Sequence, residues 1–276
     1  MKMLLVVCVV FIQNSYALDR YFANEEVQRL APEAFALQPE ASEFHKLIGE
    51  KSKKERELFV KLIKEDASLL DKLQKYKELT WEEKEKVLRQ VFALEVKALG
   101  MKAPELVIDK TTTKNEAYFD FDITNPGTGR VLLNIDELEK DSNPHAGLLL
   151  LIHETRHSAQ FQEAFKHNDP IARAYKAAFS AQKNHAKAIT SFSDFLTLIN
   201  EYEAFQFGNY VVSALLEGQV DTLGMGTYAS QYNEDYTLKI DLPLLFKAKE
   251  EGSTNETILN TFNKLEKAQY DILVKQ

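Results

Sequence analysis

The sequence predicts an α+β fold that is predominantly helical, with a small β-sheet packed on one buried helix and a helical region ahead of it. Three observations carry that prediction. Apolar residues recur at three- and four-residue steps over residues 18–100 and again beyond residue 144, the period of helices with one buried face. Between Glu105 and Asp136 the period falls to two, the period of strands. The run Leu148-Leu149-Leu150-Leu151-Ile152 is too apolar for a surface helix, so its helix is buried nearly all round.

The first seventeen residues read as a signal peptide. Lys2 is a short positive start, Met3 to Ile12 an apolar stretch too short to span a bilayer, and Ser15-Tyr16-Ala17 a small-x-small cleavage site. Cleavage after Ala17 leaves an exported chain, periplasmic or secreted, with no stable membrane insertion. Residues 18–100 form the helical region: Phe44, Leu47 and Ile48, then Leu58, Phe59, Leu62 and Ile63, then Leu69, Leu70 and Leu73. Thr80-Trp81-Glu82-Glu83 is a capping box that opens a helix through Val87, Val91 and Leu94, closed by Gly100 and Pro104. Residues 101–276 form the second region. Strands are expected at Leu106–Ile108, Ala117–Ile123 and Arg130–Ile135, the last two joined by the turn Asn125-Pro126-Gly127-Thr128-Gly129. Helices follow from Pro144 to Lys166 behind an Asn143 cap, from Pro170 to about Ile189, from Ser193 to Glu217, and near 256–274, with irregular chain over 218–241. A removable inhibitory propeptide over residues 18–100 has no processing linker to support it, and the question stays open at this point.

Cys8 is the only cysteine and leaves with the signal, which removes disulfides, thiolate metal ligands and cysteine nucleophiles together. Loss of Lys2 takes the formal charge from −8 to −9, and no basic patch interrupts the acidic balance, so nucleic acid is a poor partner. The run Lys51-Ser52-Lys53-Lys54-Glu55-Arg56-Glu57 reads as a solvated helix face.

His153-Glu154-Thr155-Arg156-His157 is the most informative segment. Residues i and i+4 share a helix face, so the two imidazoles reach one metal ion, and Glu154 sits where it can touch a water on that ion. The pattern is H-E-x-x-H, in which the glutamate is the general base of a zinc hydrolase. The competing reading is a structural hydrogen-bond network that satisfies these polar groups inside the core. A catalytic zinc needs a third protein ligand. Gln160 and Glu163 stand where the glycine and third histidine of H-E-x-x-H-x-x-G-x-x-H belong, so that pattern is absent. The third ligand is sought in Asn200-Glu201-Tyr202-Glu203-Ala204-Phe205. With an apolar stripe through Phe195, Leu198, Tyr202, Phe205, Val212 and Leu216, Glu201 lies nearer the stripe than Glu203. It is therefore favoured as the more buried of the two, while Glu203 stays open.

With these motifs in place, residues 105–217 resemble a zincin metallopeptidase of the gluzincin type: a strand, a helix carrying H-E-x-x-H, and a later helix that supplies glutamate. Glu201 with Ala204 is similar to the E-x-x-A-D segment of such enzymes, with Phe205 in place of the aspartate, and Glu203-Ala204 matches an alternative Glu-Ala motif. The resemblance implies one Zn²⁺ held by His153, His157 and Glu201, Glu154 as the catalytic base, and a peptide or protein substrate aligned along Val131-Leu132-Leu133-Asn134 as an edge strand. Residues 101–276 would then be a zincin-like metallopeptidase domain. The alternatives are a non-catalytic zincin scaffold that binds a partner, and a zinc hydrolase of cell-wall amide bonds. His145, His167 and His185 read as surface or capping residues. Tyr202, Tyr210, Tyr228 and Tyr232 are available as oxyanion donors, and nothing in the sequence picks one. Arg156 is assigned no chemistry, and Gly224-Met225-Gly226 reads as a loop.

Overall fold

The computed structural model describes residues 21–141, 143–216 and 238–273. The expected signal peptide, Tyr228, Tyr232 and the Gly224–Gly226 loop lie outside the described residues. In chain order the elements are α1 (Glu25–Gln28), α2 (Ser42–Glu65), α3 (Ala67–Gln74), α4 (Trp81–Leu99), β1 (Glu105–Asp109), β2 (Ala117–Asp120), β3 (Arg130–Asn134), α5 (Ile135–Leu138), α6 (Ala146–Lys166), α7 (Pro170–Asn184), α8 (Phe192–Leu196), α9 (Ile199–Leu216), α10 (Leu242–Glu250) and α11 (Ile258–Leu273). The fold is thus predominantly helical α+β with one small mixed sheet. Among the described residues no helix is long and apolar enough to cross a membrane.

The chain divides into two compact units, and the divisions at 49/50 and 203/204 fall inside α2 and α9, each an unbroken helix. Residues 21–49, 167–203 and 238–273 form one unit. In it α7 packs on a 3₁₀ turn at Pro32–Ala34, α10 packs on α11, and Phe44 meets Tyr175 edge to face at 5.5 Å. Residues 50–141, 143–166 and 204–216 form the other, so the expected boundary near residue 100 is the passage from helix to sheet within that unit. There α4 lies against α6, and α6 covers β2 and β3.

Local chemistry accounts for the element ends. Thr80 Oγ1 accepts the Glu83 N–H while the Glu83 carboxylate accepts the Thr80 N–H, and Gly100 closes α4 at φ 60°, where a side chain would be strained. Asn143 caps the entry to α6 through Oδ1, which accepts the His145 N–H at 3.0 Å, and the helix proper begins at Ala146. β2 stops at Asp120, short of Ile123, because Asp122 Oδ1 turns the chain by accepting the Thr124 N–H at 2.8 Å. Gly129, at φ 69°, enters β3 where a Cβ would stand 2.4 Å from the Phe119 ring and 2.9 Å from the Asp120 carbonyl oxygen, so only glycine fits.

The sheet order is β1-β3-β2, with β1 parallel and β2 antiparallel to β3. The expectation that Val131–Asn134 is an edge strand is therefore corrected. That segment is central, paired on both sides and buried at all four residues, which is why it reads as a continuous run rather than an alternation.

The expected helix over Ser193–Glu217 is two helices. Thr197 Oγ1 donates back to the Ser193 carbonyl at 2.6 Å and accepts from Gln28 Nε2 at 3.1 Å, and the Thr197 carbonyl is taken by the Ala36 N–H at 2.7 Å. Leu198 bridges to Phe35, so the backbone leaves the helical path at this point and restarts as α9. α7 likewise ends at Asn184 rather than Ile189, with His185 as its C-cap.

Candidate metal centre

α6 presents His153 and His157 one turn apart, buried to 5% and 4% exposure, with ring centroids 4.4 Å apart and planes at 84°. Their Nε2 atoms point at each other across 2.9 Å. Phe205, on α9, places its ring 4.3 Å from that of His153. Glu201 is four residues before Phe205, on the same face of the same helix. One ligand atom each from His153, His157 and Glu201 lies within 4.8 Å of the others, and all three residues are buried.

This donor set fits a divalent metal ion. His157 Nδ1 is 2.8 Å from Gln160 Oε1, which only accepts, so Nδ1 carries the proton and Nε2 its lone pair. A lone pair aimed at a second ring nitrogen needs a proton or a cation between them. Two imidazole nitrogens on one tetrahedral Zn²⁺ stand about 3.3 Å apart, from Zn–N distances of roughly 2.0–2.1 Å, close to the spacing found. Two imidazoles and a carboxylate suit zinc among other first-row metals, and leave a coordination position open.

Glu154, half-buried, is one residue further round α6. Its carboxylate, with Asp120, adds to the burial that raises the Tyr118 phenol above its ordinary value, which puts this β2 tyrosine in the field of Glu154. Tyr118 is not among the four tyrosines that the sequence offers as donors. Of the two described, Tyr202 meets His45 edge to face at 5.8 Å and Tyr210 lies beneath the Arg56 guanidinium at 4.1 Å.

Burial does not separate the two glutamates, contrary to what the apolar stripe predicts: Glu201 is 4% exposed and Glu203 3%. α9 is enclosed on several faces, so neither glutamate faces water. Their partners do separate them. Glu203 Oε2 accepts the Tyr175 hydroxyl at 3.3 Å, whereas Glu201 joins the histidines. Glu201 Oε1 also accepts from Gln182 Nε2 at 2.6 Å, and Gln182 Oε1 accepts from Asn200 Nδ2 at 3.0 Å. Gln160 carried a signal in the sequence, standing three residues after His157 on a buried face; Gln182, isolated on α7, carried none.

Arg156 is 2% exposed, paired with Glu55 of α2 at 2.6 Å and stacked 4.6 Å over Phe207. It also faces Glu95 of α4, whose carboxyl is fully buried and driven well above the usual carboxylate range by that burial, against the pull of Arg156. The run 51–57 is accordingly more than a solvated face: Ser52 is buried, Lys51 pairs with Glu163 at 2.8 Å and Glu55 with Arg156. His145 is buried and stacked on Tyr76 at 5.8 Å, which corrects its reading as a surface residue; His167 is exposed just past α6, and His185 caps α7.

No protein-family model, no curated protein and no solved structure matches this chain.

Proposed function

We propose that the chain is an exported zinc-dependent metallopeptidase of the gluzincin type. The observation that carries this reading is the convergence of Glu201 on the two motif histidines, because a purely structural network has no need of three buried metal-type donors within 4.8 Å of one another. His153, His157 and Glu201 would hold the ion. Bound there, Zn²⁺ would supply a Lewis acid for a carbonyl oxygen and would lower the pKa of a bound water. Glu154 accepts the proton of the attacking water and returns it to the leaving amine, the exchange a half-buried carboxylate beside the site can perform.

The resemblance asks for an edge strand beside the motif to align an extended substrate, a part that β3 cannot play. Among the described residues β2 is an edge; it is covered by α6 and its Phe119 ring lies 6.2 Å from His157. We assign substrate alignment to β2. Residues 50–99 belong to the working protein rather than to a removable propeptide, since α4 packs on α6 and Glu55 neutralises the arginine inside the motif. Export rests on the Ser15-Tyr16-Ala17 cleavage site.

The test is the metal content of the mature chain together with turnover of a mixed peptide library, wild type beside Glu154→Gln. One zinc per chain and turnover that falls by about 10²–10⁴-fold in the near-isosteric variant, with zinc retained, is the expected result. Zinc without turnover in the wild type would make the chain a non-catalytic binder on a zincin scaffold. Turnover of peptidoglycan amide bonds alone would place it among the cell-wall hydrolases.

A further inference from the structure

We propose that Gln160 and Gln182 are positioning residues of the metal centre, two neutral amides that hold His157 and Glu201 by opposite ends. The inference rests on the reading of His153, His157 and Glu201 as ligands. Gln160 is 1% exposed and follows His157 by three residues on α6, so the helix itself sets the pair side by side. Its oxygen takes the His157 Nδ1 proton at 2.8 Å. That bond selects the tautomer whose Nε2 lone pair faces the site and stops the ring from turning.

Gln182 works with the reverse polarity. Its nitrogen donates to Glu201 Oε1 at 2.6 Å, and its oxygen is held by Asn200 Nδ2 at 3.0 Å. Asn200 is fully buried and adjacent to Glu201 on the first turn of α9, so turning the Gln182 amide over would break both bonds at once. The amide therefore fixes the plane of the Glu201 carboxylate. Phe205 leaves no carboxylate at its own position to orient a histidine, and its ring packs on His153 instead.

The two positions differ in what can replace them. A carboxylate at position 160 still accepts from His157 Nδ1. A carboxylate at position 182 donates nothing and faces Glu201 with like charge. This asymmetry separates positioning from packing, because a packing role is indifferent to the direction of the hydrogen bond.

The experiment measures the zinc dissociation constant of the mature chain by competition with a chromophoric chelator, with the thermal midpoint of the zinc-free protein beside it. Gln160→Leu and Gln182→Leu are expected to weaken zinc by about 10–100-fold while the zinc-free midpoint moves by only a few degrees. Gln160→Glu is expected to bind at least as tightly as wild type, and Gln182→Glu to bind as weakly as Gln182→Leu or worse. Affinity within about threefold of wild type in both leucine variants overturns the proposal, and so does a Gln160→Glu variant as weak as Gln160→Leu. Should a leucine variant not fold, ¹⁵N NMR of the imidazoles in zinc-free wild type decides: His157 protonated at Nδ1 is expected, and the opposite tautomer overturns the proposal. A folded wild type that binds no zinc removes the metal reading and this inference together. Zinc lost in His157→Ala but kept in the glutamine variants removes this inference alone.

Discussion

If the proposed centre holds zinc, replacing Glu201 by alanine should abolish tight zinc binding, and replacing Glu203 should not. Zinc bound by four protein ligands is worth about 10–16 kcal/mol, or roughly 3–4 kcal/mol per ligand, which is about 10²–10³-fold in affinity. Glu201 is one of three proposed ligands among the described residues, so the full loss is expected, and water can take the vacated place only at the strength of water. Glu203 gives one carboxylate oxygen to the Tyr175 hydroxyl at 3.3 Å, a long bond, and its removal costs about 1–3 kcal/mol of stability as a buried donor loses its acceptor. Zinc affinity in Glu203→Ala is expected within about threefold of wild type. Competition titration against a chelator of known affinity measures both, with circular dichroism to confirm that each variant is folded. Reversed outcomes, with zinc lost only in Glu203→Ala, would show that α9 is rotated about its axis from the orientation described. Zinc retained in both would send the third ligand elsewhere and end the gluzincin reading.

Two further outcomes are expected. Arg156→Met strips Glu55 of its partner and loses the stacking on Phe207; because Glu55 is 19% exposed and can rehydrate in part, the cost falls at the lower end for a broken buried pair, about 3 kcal/mol or roughly 6–12 °C in thermal midpoint. The double variant Arg156→Met/Glu55→Leu should recover most of it, and a single variant that costs under about 1 kcal/mol by denaturant titration would mean the pair is not buried as described. His45 has its pKa lowered from 6.5 to about 4 by burial, against the opposing effects of its bond to the Ala36 carbonyl and of Asp241. A depressed histidine contributes stability that is present above pH 6.5 and lost as the pH falls towards and through 4, here about 3 kcal/mol at most. His45→Gln keeps a donor to Ala36 and should flatten that part of the acid limb; unchanged acid unfolding in the variant would contradict the assignment.

The elements legible in the sequence are those whose causes lie within a few residues of themselves. The capping box at Thr80–Glu83 and the left-handed Gly100 are local chemistry, and α4 begins and ends where they say. The i,i+4 histidines needed only helix geometry to meet, and they do. What escaped is what distant chain decides. Nothing in Ser193–Glu217 announces that the Ala36 N–H takes the Thr197 carbonyl and breaks the helix there. Nothing in Lys51–Glu57 announces that Glu55 answers an arginine 101 residues later. The central place of β3 was nearer the surface of the sequence, since Val131-Leu132-Leu133 lacks the polar alternation of a half-exposed strand; the resemblance to an edge strand overrode that signal.

The choice between Glu201 and Glu203 shows why burial alone was the wrong discriminant. An apolar stripe identifies a ligand only when one helix face meets the core and the other meets water. In α9 the residues Ile199 to Glu201, Glu203 to Phe205 and Phe207 to Asn209 are all buried, and the half-exposed side runs through Tyr202, Gln206, Tyr210 and Ser213, so the two glutamates flank that side equally, about 100° away on either hand. Orientation then comes from anchors at known angles. Phe205 against His153 is such an anchor, and its i−4 neighbour is Glu201, 400° back along the helix and hence within about 40° of the same direction. Glu203 is two residues from Phe205, about 200° away, on the side where Tyr175 waits. The phenylalanine that stands in place of the expected aspartate is therefore the contact that marks Glu201, rather than Glu203, as the glutamate on the side of the histidine pair.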